Sequence, residues 1–220
     1  MLPIEIKITE DGSTTLYHTD LDEHYHSIHG SIQEAMHVFI EAGLKKHPSK
    51  KLKILEIGFG TGLNVLLTML NADNLQIEYH AIEKYKLEDD IIEKINYTDI
   101  LATTNAEKWF KKIHKTAWNK EYEIEPWFIL KKIEADLQEY QFETGYDLVY
   151  FDAFAPNKQP ELWNIDIFKK LFNAMNNNAI LTTYCSKGNV RRAMIEAGFN
   201  AERILGPKGK RQMIWADRKM

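Results

Sequence analysis

The chain has 220 residues, 44% of them hydrophobic and 27% charged, the make-up of one soluble globular domain with a sizeable core. No apolar run is long enough to span a bilayer, the start MLPIEIKITEDG has no secretion-signal pattern, and the single cysteine, Cys185, excludes an internal disulfide and fits a reducing cytoplasm. The net charge of −4 is uneven: residues 187–220 carry nine Lys/Arg and three acids, +6, leaving −10 on the remainder, so an anionic partner at one end and a solvated basic face are both open.

Ile4-Glu5-Ile6-Lys7-Ile8 alternates with period two and predicts a strand paired with Thr14–Tyr17 across a turn at Glu10–Ser13. Residues 20–30, DLDEHYHSIHG, hold three histidines at 24, 26 and 29, with His37 beyond; their spacing matches no known ligand set, and no metal is expected. Ser31-Ile32-Gln33-Glu34 has the form of a capping box, with Ser31 as the cap and Glu34 reaching back. Ile32, Ala35, Met36, Phe39 and Ile40 continue it as an amphipathic helix ending near Gly43, and Pro48 marks the link onward. The expected organisation is a hairpin-plus-helix extension over 1–47, packed on a main domain over 48–220.

Leu52–Ile57 reads as a strand that stops at Gly58-Phe59-Gly60-Thr61-Gly62. Leu63, Leu66, Leu67 and Leu70 then open a helix, with Asn64 in its first turn. Strand, glycine turn, helix is the front of a nucleotide-binding α/β unit, and glycines let the backbone approach a ligand closely. The spacing is GxGxG, not GxGxxG, and Glu56 puts an anion where a pyrophosphate would lie. A cationic ligand such as S-adenosylmethionine fits better than NAD.

Ile77–Glu83 reads as the second strand, ending on an acid 21 residues beyond Gly62. A carboxylate there can accept from both ribose hydroxyls. Leu87, Ile91 and Ile95 predict a short helix, and residues 98–122 are less regular. Within them Trp109, Phe110, Ile113 and Ala117 fall at helical spacing among four lysines, a core stripe with a basic outer face. Trp127–Ile133 predicts the third strand, followed by Asp136, a candidate for the adenine amino group; Tyr146–Asp152 predicts the fourth. Pro160 is placed to open a helix, Asn178–Tyr184 to form the fifth strand and Asn189–Ala197 a helix; Phe199–Leu205 and Gln212–Ala216 follow as strands joined by a basic loop. The alternation predicts an α/β fold, a doubly wound, mainly parallel Rossmann-like sheet of the class I methyltransferase type with an antiparallel last strand.

In such sheets ligands lie at the carboxyl ends of the strands. Three acids are assigned to the cofactor, which leaves Asp152, with Phe154 and Pro156 beside it, to face an acceptor. Methylating an amine needs a nitrogen lone pair, which an alkyl ammonium of pKa about 10 lacks at neutral pH. A carboxylate can take that proton or orient the neutral amine, and an aromatic ring can stack on a base that carries it.

EIGFGTGLN at 56–64, FDAFAPNKQPELW at 151–163, GPKGKRQM at 206–213 and DLDEHYHSIHGSIQEAMHVF at 20–39 resemble the MnmC/MnmD methyltransferase family. The resemblance implies methyl transfer from S-adenosylmethionine to the 5-aminomethyl group of the tRNA wobble uridine, often 2-thiolated. It implies Asp152 as catalytic residue, and Glu56, Gly58, Gly60 and Gly62, with the intervening Phe59 and Thr61 and the following Asn64, as cofactor turn. Glu83 becomes the ribose acid, Tyr25 and Ser27 part of a segment closing over the site, and Lys210 and Arg211 a basic pair for the phosphates of the anticodon stem-loop. No membrane, DNA or obligate protein partner is expected. Many relatives carry a fused flavin-dependent oxidase; with the sequence ending at Met220, only the methylation step is expected here. The rivals are a small-molecule amine methyl- or aminopropyl-transferase on the same sheet, an NAD-dependent oxidoreductase, and an idle RNA-binding module.

Overall fold

The computed structural model describes residues 3–219. Strands β1 (Ile4–Ile8) and β2 (Thr14–His18) pair antiparallel with Ile6 opposite Leu16, and the two-residue β3 (Glu23–His24) extends them. Asp11 builds the turn, its Oδ1 accepting from Thr9 Oγ1 at 2.7 Å and Ser13 N at 3.0 Å.

Helix α1 (Ser31–Ala35) runs on as a π-helical stretch, Met36–Glu41. The capping box does not form: Gly30 is the cap residue and Ser31 is already inside the helix. Ser31 Oγ donates to Thr14 O at 2.9 Å, and Glu34 Oε2 accepts from Ser27 N at 2.7 Å. Bonds to the hairpin and the preceding segment take the groups that a local cap would have used.

The main sheet has eight strands: β4 (Lys51–Ile57), β5 (Gln76–Glu83), β6 (Glu121–Glu125), β7 (Phe128–Glu134), β8 (Tyr146–Phe151), β9 (Met175–Thr183), β10 (Asn200–Leu205) and β11 (Gln212–Asp217), in the order β10-β11-β9-β8-β4-β5-β7-β6. The five strands β7, β5, β4, β8 and β9 are parallel, whereas β11 runs antiparallel to both neighbours. Helices α2 (Leu63–Leu70), α3 (Asp89–Ile92), α4 (Tyr97–Leu101), α5 (Thr104–Lys115), α6 (Ile165–Ala174) and α7 (Gly188–Glu196) complete the chain. Side chains alternate across β4: Leu52 and Ile54 join the core under α1, α2 and α5, while Leu55 and Ile57 join the core under α6 and α7.

The sequence missed β6, an edge strand whose EYEIE pattern buries only Ile124. Residues 98–122 are more ordered than expected, with α5 burying Trp109, Phe110 and Ile113. Lys108 and Lys112 of that helix pair with Glu125 of β6, at 2.6 and 3.5 Å, which ties the basic face to the protein. Pro160–Leu162 is a single 3-10 turn; α6 starts only at Ile165, where Asn164 Oδ1 accepts from Asp166 N and Ile167 N. Among the described residues no helix lies between β7 and β8. Glu143 pins that loop, its carboxylate 2.8 Å from the ammonium groups of both Lys53 and Lys131.

Candidate active site

The chain winds from β4 outward through β5 and β7, then returns to β8 and β9 on the other side of β4. The strand order therefore reverses at β4, and a crevice opens where such sheets bind ligands. A cleft of about 740 Å³ lies there, within the usual size range for small-ligand sites. Gly58, Phe59 and Gly60 form its floor, and Glu83, Asp136 and Asp152 border it at three strand ends.

The glycine turn is built by backbone that only glycine takes easily. Gly58 has φ +91°, and a Cβ there would fall 2.6 Å from the carbonyl oxygen of Asp152. The turn after β4 and the end of β8 are thus packed backbone to backbone. Gly60 has φ +48°, and a Cβ there would press on the Tyr25 ring at 3.2 Å.

Glu83 accepts three backbone N–H groups, from Gly60 at 3.0 Å and from Lys84 and Tyr85 at 2.9 Å each. Burial raises its pKa while those donors pull it down. Of the roughly four acceptor positions of a carboxylate, one is left open. Asp136 accepts from Lys84 Nζ at 2.8 Å, which holds its carboxyl below the usual range.

Asp152 is pushed up to about 7, chiefly by burial and further by Glu34, against the opposing pull of Asn64 and Lys210. Around neutrality its carboxyl therefore exists in both proton states. Phe154 stands next to it, edge-on to Tyr25 with ring centroids 4.9 Å apart. Trp163 Nε1 donates to Phe154 O at 2.7 Å and Tyr184 OH to Ala153 O at 2.8 Å, so the loop after β8 is held from two sides.

The segment after β3 crosses this cleft. Tyr25 stands over Gly60, His26 Nε2 pairs with Thr61 Oγ1 at 3.1 Å, and Ser27 borders the cleft. Burial lowers His26 to about 4, so it is neutral at pH 7. Glu34 ties the segment down by accepting from Ser27 N, and its other oxygen binds Lys210 Nζ. Lys210 also lies over the Tyr184 ring, 4.0 Å from its centroid.

Several expected contacts lie elsewhere. Glu56 is 0% exposed and faces α2, because it falls on the Leu52 and Ile54 side of β4; it does not border the cleft. Asn64 and Thr61 are buried behind the turn, and Gly62 is also set back from the cleft. Pro156 is buried in the loop without reaching the cleft. Lys210 and Arg211 do not act as a pair: Lys210 lines the cleft, whereas Arg211 is exposed outside it and makes no ion pair among the described residues. As site residues Glu34, Lys84 and Tyr184 are not legible in the sequence, where Glu34 reads only as part of a capping box. Their partners are 176, 52 and 31 residues away, beyond the reach of any local pattern. Away from the cleft, Glu78, His80 and Glu143 bring three ligand atoms within 4.8 Å, but the Lys53 ammonium sits 2.8 Å from both carboxylates where a cation would bind.

The family described as S-adenosyl-L-methionine-dependent methyltransferase matches residues 93–219, more than half the chain. The chain belongs to that family. The methyltransferase is 29% identical over 97% of its length to the "tRNA 5-methylaminomethyl-2-thiouridine biosynthesis bifunctional protein MnmC" of Burkholderia multivorans, covering 35% of that protein. It is 30% identical over 88% of its length to the protein of the same name from Paraburkholderia xenovorans, covering 32% of it. The chain thus spans about a third of the length of these curated relatives. Among solved structures, MNMC2 from Aquifex aeolicus superposes with a TM-score of 0.81 at 27% identity, covering 100% of this chain and 72% of that one. Spermidine synthase from Thermotoga maritima, at 12% identity and a TM-score of 0.57 over 97% of this chain and 72% of that one, shares the fold. The resemblance read from the sequence is borne out, as is the class I methyltransferase sheet.

The cleft suits S-adenosylmethionine. Its floor is bare backbone at Gly58 and Gly60: a Cβ at Gly60 would press on the Tyr25 ring above it, and one at Gly58 would break the close packing of the turn against the end of β8. Its rim is acidic, suited to a ligand carrying hydroxyls and positive charge and unsuited to a diphosphate. Among the described residues no helix is long and apolar enough to cross a membrane.

Proposed function

We propose that the methyltransferase methylates the primary amine of a 5-aminomethyl group on the tRNA wobble uridine, 2-thiolated or not, giving 5-methylaminomethyluridine. The observation that carries this reading is Asp152. A carboxyl with a pKa raised to about 7 stands at the end of β8, beside the aromatic rings of Phe154 and Tyr25, which line the same cleft. The names of the relatives point to the same substrate. A base in a single-stranded loop costs less to extrude than one in a duplex, and the tRNA substrate places the reaction in the cytoplasm.

When bound, S-adenosylmethionine supplies an electrophilic methyl group on a sulfonium. Glu83 would hold its ribose through the acceptor position left open, Asp136 would lie toward the adenine, and Gly58–Gly60 would lie under the chain between them. Tyr25 and Ser27, in the extension over residues 3–47, would close the cleft against water. Asp152 would accept a proton from the incoming ammonium, or hold the neutral amine by its N–H, leaving the lone pair free. Phe154 would fix the plane of the base, and in-line alignment would supply much of the acceleration.

Asp20 and Glu23 on the rim favour a second reading, a small polyamine acceptor. One experiment separates the two: methyl transfer from labelled S-adenosylmethionine to tRNA bearing 5-aminomethyluridine, to unmodified tRNA, and to free spermidine and putrescine. Label in the aminomethyl tRNA alone is the expected result. Label in the free amines alone would replace the tRNA reading.

A further inference from the structure

One amide group in the core is shared by two carboxylates. Asn64 Nδ2 lies 2.9 Å from Glu56 Oε1 and 2.9 Å from Asp152 Oδ2, so both its hydrogens are committed. Tyr79 OH donates to the other Glu56 oxygen at 3.0 Å. Glu56 is 0% exposed and Asn64 2%, and neither borders the cleft.

Asn64 Oδ1, by contrast, is buried and has no hydrogen-bond partner among the described residues. A buried acceptor left unpaired is costly, and an amide free to choose would turn to satisfy it. Turning here would set the carbonyl lone pairs against the Asp152 carboxyl and against the Glu56 oxygen that now accepts from the amide. Burial, with Asp152 nearby, raises the Glu56 pKa well above the usual carboxylate range, so Glu56 acts as a hydrogen-bond acceptor rather than as a second charge. Glu56 and Asp152 together therefore dictate which end of the amide lies between them. Among the described residues Asn64 is the one side chain that donates to Asp152.

We propose that Asn64 and Glu56 are positioning residues for Asp152. Glu56, sealed inside the sheet, holds the Asn64 amide so that its N–H rather than its carbonyl meets Asp152, which favours the ionised form of that carboxyl and fixes it in the cleft wall. The inference rests on the reading of Asp152 as the group that faces the acceptor amine. It also gives Glu56 and Asn64 a task that does not require either to touch the cofactor. The other groups that face Asp152 are Glu34 from α1, Lys210 from the β10–β11 loop, and the phenols of Tyr97 and Tyr184; the two charges among them oppose each other. The Asn64 amide is thus the neutral lever on the proton affinity of Asp152.

The test follows the Asp152 carboxyl carbon directly by NMR, labelled in aspartate and assigned with Asp152→Asn, in the wild type, Asn64→Ala and Glu56→Gln. Loss of a hydrogen bond to a charged group should raise the Asp152 titration by about one unit in Asn64→Ala. With Asp152 at about 7 in the wild type, the ionised fraction at pH 7 then drops from about a half to about a tenth. The rate of methyl transfer should accordingly fall about fivefold at pH 7 and converge on wild type above about pH 9. Glu56→Gln can donate to Asn64 Oδ1 and free the amide to turn, so it should shift the titration the same way by a smaller step. In an Asp152→Asn background, Asn64→Ala should cost nothing further, whereas a merely structural asparagine would cost the same in both backgrounds. An unmoved Asp152 titration in both variants, or an additive loss, overturns the positioning role. If the titration shifts but no tRNA is methylated, the substrate reading falls and the positioning role stands. Should Asn64→Ala fail to fold, Glu56→Gln and Asn64→Ser carry the same test.

Discussion

Replacing Asp152 with Asn should make the protein more stable in mildly alkaline solution while disabling it. Burial raises the Asp152 pKa from 3.8 to about 7 in the folded state. A group whose folded pKa lies above its unfolded value contributes stability that is complete below the unfolded pKa and is lost as pH rises through the folded one. That span is about three units, worth at most about 4 kcal/mol at 1.36 kcal/mol per unit. The carboxyl borders the cleft and keeps part of its hydration, so about 2 kcal/mol is the expected size. An asparagine keeps an acceptor for Asn64 and carries no charge, so it escapes this loss. Urea unfolding of both proteins from pH 5 to pH 9 should therefore show the difference growing in favour of the variant up to about pH 7–8 and then levelling off. Methyl transfer by the variant should fall by at least about a hundredfold throughout. A stability difference that is flat from pH 5 to pH 9, or that turns against the variant as pH rises, would refute the assignment of a buried, half-protonated carboxyl at the end of β8.

Gly58→Ala should cost at least about 2 kcal/mol in urea unfolding, because its φ of +91° is strained for alanine and its Cβ would collide with backbone at 2.6 Å. Calorimetry should show cofactor affinity falling with it. Glu83→Ala removes the acceptor that orders Gly60 N and should weaken binding of S-adenosylmethionine by tenfold or more while leaving the tRNA KM nearly unchanged. Phe154→Ala should raise the tRNA KM by about tenfold, the worth of one stacked base, with cofactor titrations unaltered. Lys210→Met and Arg211→Ala should part company: the first releases Glu34 and the Ser27 segment and should weaken cofactor and tRNA alike. The second should only lower the dependence of tRNA binding on salt, by about one phosphate contact.

The alternation of short apolar runs with helical stripes determined the parallel sheet. The glycine turn and the acids placed directly after predicted strands determined which ends of the strands would be functional. These features are legible because each rests on a local rule: period two, period 3.6, or a backbone that only glycine adopts easily. The tertiary structure decided which of those acids reach the cleft. Glu56 and Ile57 are neighbours in sequence, yet the strand turns one into the core beneath α2 and the other into the opposite core under α6 and α7, where it borders the cleft. It also decided that Lys210 answers to Glu34 and Tyr184 rather than to Arg211, and that Asn64 joins two carboxylates whose positions differ by 96 residues. Charge and hydrogen bonding act through space, and a sequence states spacing along the chain. Partners brought together by sheet order are therefore invisible until β4 and β8 lie side by side.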